Sequence, residues 1–281
     1  VAMLTRIDRA HIGMFESMKD LVNAKLDLFR GCEPGAALVV NAGCPRTMKA
    51  LGPFRERHPI FSFRVGRPAR GGLSGDVRIG RVVPLDPFGY RFELQLSDRA
   101  IAGLELRLFG RHHLENVAAA AAMLLAAGED PALLAEALPD FRTEPLRGQV
   151  VQADGVTWIL DCYNASPPAM LSALESLLEV PYGGRRFLAL ADMLELGAET
   201  RERHEALVKP IVKLGRRGHV AFLGLGPQCA ALARDLTTEL ESLGGSARGF
   251  SNRDELADAM KQDLRPGDQF VVDLILAARA E

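Results

Sequence analysis

The chain has 281 residues, 48% of them hydrophobic and 25% charged, enough for two ordinary globular domains that each bury a core. Its 34 Lys+Arg nearly balance 36 Asp+Glu, so a formal charge of -2 gives no bulk attraction to nucleic acid or anionic lipid, and a nucleotide or acidic substrate has to be held by local groups. Four scattered cysteines, Cys32, Cys44, Cys162 and Cys229, with no CxxC pair, argue against a zinc site or a disulfide framework and fit a reducing cytoplasm.

Residues 1–7 read as a buried strand opening into the loop Asp8-Arg9-Ala10-His11; the start shows no initiator Met and no export signal, so a missing front end is expected. Leu21, Val22, Leu26 and Phe29 on helical spacing predict an amphipathic helix over 18–29, and 36–41 a second buried strand. Residues 45–59 read as loop plus a short helix. From 60 to 109 short alternating stretches between Gly, Pro, Asp and Ser clusters predict a small antiparallel patch. The alanine-rich stretch 117–127 predicts a closely packed helix stopped by Gly128, and 131–138 a short helix. Residues 139–148, with two prolines, are the best linker, placing the domain boundary near Pro145 (1–144 and 145–281).

The second half alternates strand and helix: strands at 155–161, 186–191, 220–224 and 269–274, and helices at 167–178, 200–214, 228–243 and 253–264. That spacing predicts a Rossmann-like parallel sheet covered on both faces, in which ligands gather at the carboxyl ends of strands, where Asp161 and Asp192 fall. In Asp161-Cys162-Tyr163-Asn164-Ala165-Ser166-Pro167-Pro168 a strand ends in an acid and two prolines open a helix, so Asn164 or Ser166 is equally readable as a helix cap. Asp161 is well placed to accept hydrogen bonds from a ribose.

Asp161 to Pro168, the stretch Ala191-Asp192-Met193-Leu194-Glu195-Leu196-Gly197 with His204-Glu205 downstream, and Gly110-Arg111-His112 with Asn116 together resemble the Mur ligases of peptidoglycan synthesis. The Tyr-Asn-Ala and Asp-Met-Leu-Glu-Leu-Gly words are most similar to members that add D-alanyl-D-alanine to a UDP-N-acetylmuramoyl tripeptide, and they disfavour folate-type ligases of the same domain plan. The resemblance implies a partial central ATP-binding domain followed by a C-terminal ligase domain, an α/β cytoplasmic enzyme using ATP and Mg²⁺. It implies that His11 and a carbamylated Lys25 bind metal, that Asn116 meets the adenine, Arg147 the phosphates and Asp161 the ribose, and that Tyr163 and Asn164 lie beside the nucleotide. Asp192, Glu195 and His204 then face the acceptor, with capping or surface charge as the rival reading for each. Read without the family, Lys25 is a solvated helix lysine, His11 a polar loop residue and Arg147 a linker charge.

The implied reaction is ATP-dependent acyl activation followed by amide formation. Against it, these 281 residues hold no Gly-x-x-x-x-Gly-Lys-Thr/Ser phosphate loop. His113 stands where the family usually has Asn, Arg6 where a small polar residue is usual, and Val272-Asp273-Leu274-Ile275-Leu276 replaces a Lys-Gly-Ser-Arg stretch. The expectation is therefore a chain inactive alone, either a ligase portion that needs the rest of the enzyme or a degenerate module that binds a nucleotide or a partner.

Overall fold

The structure, a computed structural model, describes residues 1–8, 12–67, 76–162, 165–180 and 182–273. The chain divides into two compact units, one of Val1–Arg107 with Arg111–Phe141 and one of Leu108–Gly110 with Arg142–Glu281. Among the described residues no helix is long and apolar enough to cross a membrane.

The first unit is built on one six-stranded sheet in the order β1 (Ala2–Leu4), β2 (Leu38–Asn41), β3 (Ile60–Val65), β4 (Val77–Pro84), β5 (Tyr90–Leu96) and β6 (Ala100–Leu106). The first four strands pair in parallel and the last three antiparallel. Of residues 60–109, predicted as a small antiparallel patch, β3 pairs in parallel with both neighbours and only β4 to β6 pair antiparallel, as the far half of the same sheet. β1 is shorter than predicted. Between the first strands lie α1 (Met18–Arg30) and α2 (Pro45–Ala50). Ser17 caps α1 by accepting from the Asp20 amide at 3.3 Å, and the helix buries Leu21, Leu26 and Phe29. Those three join Leu4, Ile7, Leu38 and Phe54 in a core where the Phe29 and Phe54 rings meet edge to face at 5.7 Å.

Beyond the strands, α3 (His112–Ala127) packs on β2, β3 and β4, and its buried Ala118, Ala119, Ala121 and Ala122 let it lie close to the sheet. It starts five residues earlier than its alanine run suggests, since its N-cap, Arg111, is helical and gives no capping side chain to mark the boundary. Gly128 ends it in the left-handed conformation, returning its N–H to Leu124 and Leu125 carbonyls. A turn at Pro131–Leu133, α4 (Leu134–Ala137) and a further turn at Leu138–Asp140 follow.

The second unit contains β7 (Gln149–Ala153), β8 (Val156–Leu160), α5 (Pro167–Glu179), β9 (Arg186–Ala191), α6 (Thr200–Glu205), α7 (Val208–Gly215), β10 (Val220–Leu225), α8 (Pro227–Ser242), β11 (Ser246–Phe250), α9 (Arg253–Asp263) and β12 (Gln269–Asp273). Its sheet runs β11-β10-β9-β12-β8-β7, parallel except for β7. Successive strands move outward from β9 to β11, then the chain returns to lay β12 between β9 and β8. The order therefore reverses beside β9, and the crevice beyond the carboxyl ends of β9 and β12 is the switch point where α/β sheets bind ligands.

Three details depart from the sequence reading. β7, in residues given no element between the predicted linker and the strand at 155–161, pairs with β8 through the two-residue turn Asp154-Gly155, both with positive φ (52° and 76°), the geometry of a tight hairpin. The helix predicted over 200–214 is two helices, because Pro210 has no N–H for the Ala206 carbonyl and its ring would strike that carbonyl. β11 is polar and short, and its Gly249 lets α8 approach so closely that an added Cβ would lie 2.7 Å from that of Ala230.

Candidate functional site

In the first unit the carboxyl ends of β1 and β2 are tied to the first turn of α3. Arg6 donates twice to Glu115 at 2.7 Å, and Glu115 also accepts from Asn41 Nδ2 at 3.2 Å, while Asn41 Oδ1 accepts from the Gly43 amide at 2.7 Å. Arg6, the departure from the usual small polar residue, is thereby committed to a forked ion pair rather than pointing at an open strand end. Lys25 is half-buried on α1, and His11 lies outside the described residues.

Further along α3, His113, Asn116, Val117 and Ala120 share one face by helical spacing and close one side of a cavity of about 140 Å³. Leu106, Leu134, Ala137, Leu138 and Phe141 complete its lining. His113 is buried, and its Nε2 has no hydrogen-bond partner. Burial, with the neighbouring His112 adding a smaller effect, lowers the His113 imidazole to about 3, so the ring is neutral at physiological pH. An apolar slot with two polar groups on one wall suits a flat heteroaromatic ring. Sequence reading named Asn116 but gave His113 no role beyond a departure from the family; the i, i+3, i+4, i+7 spacing of residues 113, 116, 117 and 120 is the signal that could have found it.

In the second unit Asp161 follows β8 and accepts the Gly148 amide at 3.1 Å. Gly148 follows Arg147, and Leu146 and Gly148 both have positive φ (63° and 64°), so this carboxylate fixes the strained turn that carries the exposed Arg147. Asp161 and Arg147 are thus brought together through the backbone. Tyr163 and Asn164 lie outside the described residues.

Asp192 follows β9 and faces the amino end of α8, where its two oxygens accept the Gln228 and Cys229 amides at 3.1 and 2.7 Å. The cap position of α8 is Gly226, which has no side chain and a φ of 94°, so Asp192 caps the helix from another element and meets its positive end. An added Cβ on Gly226 would lie 2.8 Å from the Asp192 carboxylate, so only glycine fits beneath it. His204, 2% exposed, has Nδ1 2.7 Å from the Thr200 carbonyl and Nε2 2.9 Å from the Met193 amide. In those contacts Nδ1–H donates to the Thr200 carbonyl and the Nε2 lone pair accepts the Met193 N–H. The ligand atoms of Asp192, His204 and Cys229 lie within 4.8 Å of one another, a convergence the cysteine spacing alone did not suggest. With the histidine lone pair and both carboxylate oxygens already engaged, this cluster is a staple between the loop after β9 and α8. Glu195, exposed with a φ of 62°, stands on the loop so held, and a neighbouring cavity of about 360 Å³ is lined by Arg201, His204, Glu205, Gln228 and Asp235.

Asp192→Ala is expected to lower the stability of the second unit by about 1–2 kcal/mol, as two helix amides lose their acceptor. Urea denaturation followed by helix signal measures it. A change within a few tenths of a kcal/mol would show that water replaces the carboxylate.

The first unit is a mixed sheet with a slot the size of one ring system, and the second a doubly wound sheet with acids following its strands, an α/β architecture suited to binding small ligands. The Mur ligase middle domain matches residues 1–124, and the Mur ligase glutamate ligase domain matches residues 146–273. The chain belongs to the Mur ligase family, whose members are ATP-dependent ligases.

Within that family it is similar to UDP-N-acetylmuramoyl-tripeptide–D-alanyl-D-alanine ligases. That of Mycobacterium tuberculosis (strain CDC 1551 / Oshkosh) is 29% identical over 296 residues, covering 99% of this chain and 56% of the relative. That of Rickettsia prowazekii is 27% identical over 217 residues, covering 76% and 46%. The chain thus spans about half the length of these relatives. The crystal structure of the MurF ligase from Thermotoga maritima in complex with ADP shares the fold, with a TM-score of 0.73 and 21% identity over 99% of this chain and 58% of that one.

Proposed function

We propose that this chain carries the nucleotide-closing part of a ligase that joins D-alanyl-D-alanine to UDP-N-acetylmuramoyl tripeptide, and that these 281 residues do not complete the reaction alone. The observation that carries the reading is the match to tripeptide–dipeptide ligases along 99% of the chain. In the reaction, the terminal carboxylate of the tripeptide takes the γ-phosphoryl group of ATP, releasing ADP. The dipeptide amine then attacks the acyl carbon, the tetrahedral intermediate expels phosphate, and the amine proton is lost as the amide forms.

The residues present fit the nucleoside half of ATP. Asn116 and the unpartnered His113 Nε2 face an apolar slot, and Asp161 stands at a strand end suited to a ribose. Arg147, on the turn anchored by Asp161, supplies a cation for the phosphates. Tyr163 and Asn164 belong to the same side of the nucleotide in this reading. No Gly-x-x-x-x-Gly-Lys-Thr/Ser loop is present to cradle the β and γ phosphates. On the acceptor side, Asp192 and His204 act as positioning residues that hold the loop bearing Glu195.

In this reading His11 and Lys25, the latter as a carbamate with the oxygen ligand that Mg²⁺ prefers, would hold the ion, which would spread phosphate charge. The Asp192–His204–Cys229 cluster has a single oxygen-donor residue and does not suit Mg²⁺. Carbon-13 NMR in labelled bicarbonate reads out a carbamate on Lys25 independently of turnover.

A second reading, a non-catalytic binding module, is favoured by the absent phosphate loop. Phosphate release from ATP with both substrates separates the two. The chain alone is expected to be silent, and adding in trans the amino-terminal part of a full-length relative is expected to restore turnover. Turnover by the chain alone refutes the inactivity proposed for it, and silence after addition favours the module.

A further inference from the structure

We propose that His113 Nε2 is a hydrogen-bonding contact for the edge of a purine base seated in the cavity between α3 and the 131–141 segment, making His113 a specificity-determining residue of the nucleotide site. The proposal rests on the reading that this cavity takes the adenine of ATP, and it assigns the work there to a residue that sequence comparison marks only as a departure.

Three observations converge. First, Nε2 is buried and without a partner, and a buried nitrogen left unpaired is destabilising. A polar atom kept in that condition and facing a cavity is an unfilled half of a hydrogen bond. Second, apart from His113 and Asn116 the lining is aliphatic and aromatic: Leu106, Val117, Ala120, Leu134, Leu138 and Phe141. Both polar groups lie one helical turn apart on the same wall, so a ligand with apolar faces and one polar edge fits in a single orientation. Third, the volume, about 140 Å³, is below the roughly 300–1,000 Å³ of pockets that hold whole drug-sized ligands. It therefore takes one ring system, and the rest of a nucleotide has to leave past the exposed Asn116.

The chemistry of the imidazole sharpens the assignment. Because burial keeps the ring neutral, one nitrogen is a donor and the other an acceptor. Nε2 can accept from an exocyclic amine or, with the proton relocated, donate to a ring nitrogen, and a purine edge offers both. A phenyl ring would keep the shape and lose the contact. A carboxamide would lose the ring and keep it.

Adenosine binding to the 281-residue chain, followed by calorimetry together with the nitrogen-15 resonance of His113 Nε2, tests this. His113→Phe is expected to weaken adenosine binding at least about tenfold and His113→Asn less than about threefold, with Nε2 shifting on titration of the wild type. Unweakened binding by His113→Phe, or an Nε2 resonance that adenosine leaves unmoved, overturns the proposal. If Asn116→Ala weakens binding in that case, the adenine reading survives and only the role of His113 falls. If the wild type binds no adenosine, or neither position matters, both fall. Equal tenfold losses in His113→Phe and His113→Asn with Nε2 unmoved assign the ring a packing role and also overturn it. Should His113→Phe not fold, His113→Asn and the resonance decide.

Discussion

Gly224→Ala is expected to destabilise the second unit by about 3 kcal/mol or more. Gly224 lies in β10 directly beneath the first turn of α8. A Cβ there would stand 2.2 Å from the Cys229 carbonyl oxygen and 2.6 Å from its carbon, both backbone atoms that no rotamer change can move. The helix would have to lift off the sheet, separating buried Leu232 and Leu236 from their neighbours and drawing the Gln228 and Cys229 amides away from Asp192. Packing and cap would be lost together. Gly183→Ala in the same unit is the control, since nothing lies within 4 Å of the added methyl and no positive φ is required. Thermal denaturation of the two variants should show Gly224→Ala unfolding many degrees lower and Gly183→Ala melting near the wild type. Equal melting temperatures would mean that α8 and β10 are packed less tightly than the 2.2 Å approach requires.

The same contact shows why part of the fold could be read in the sequence and part could not. β9 is buried at all six positions and apolar at the five after Arg186, as a strand covered on both faces must largely be, and its predicted bounds coincide with those observed. α1 announces itself by Ser17 at its cap and by helical spacing of its buried residues. β11 has no such pattern: Ser246-Ala247-Arg248-Gly249-Phe250 is an edge strand whose identity comes from pairing with β10. The antiparallel strands were legible as strands, whereas their continuity with β3 depends on long-range pairing that local pattern does not encode.

The site divides along the same line. Asp161 and Asp192 follow apolar runs, so their place at strand ends could be inferred. That Asp192 is spent on capping α8 depends on Cys229, 37 positions away, arriving beside it through the β10–α8 connection. His204, within a helix predicted over 200–214, reads in the sequence as an acceptor-side residue or a surface charge, and only the fold reveals its ring locked between Thr200 and Met193.

Acidification is expected to destabilise the first unit through His113. Burial lowers this imidazole to about 3, against about 6.5 for an unfolded histidine. Between those values the unfolded chain holds a proton that the folded unit excludes, so stability rises with pH across the window and falls as the solution is acidified. The contribution is fully present above about pH 6.5 and shrinks by about 1.4 kcal/mol for each unit below it, so that the loss reaches roughly 2–3 kcal/mol by pH 4.5. The stability is thus lost before the folded ring itself takes up a proton. His113→Asn removes the titration while keeping a hydrogen-bonding side chain, and it isolates this term from the carboxylates that also respond to acid. Urea denaturation between pH 7.5 and pH 4.5 should give a steeper loss for the wild type than for His113→Asn, the two curves diverging below pH 6.5. Parallel curves would show that the imidazole is protonated in the folded unit, and that its cavity admits water as freely as the unfolded chain does.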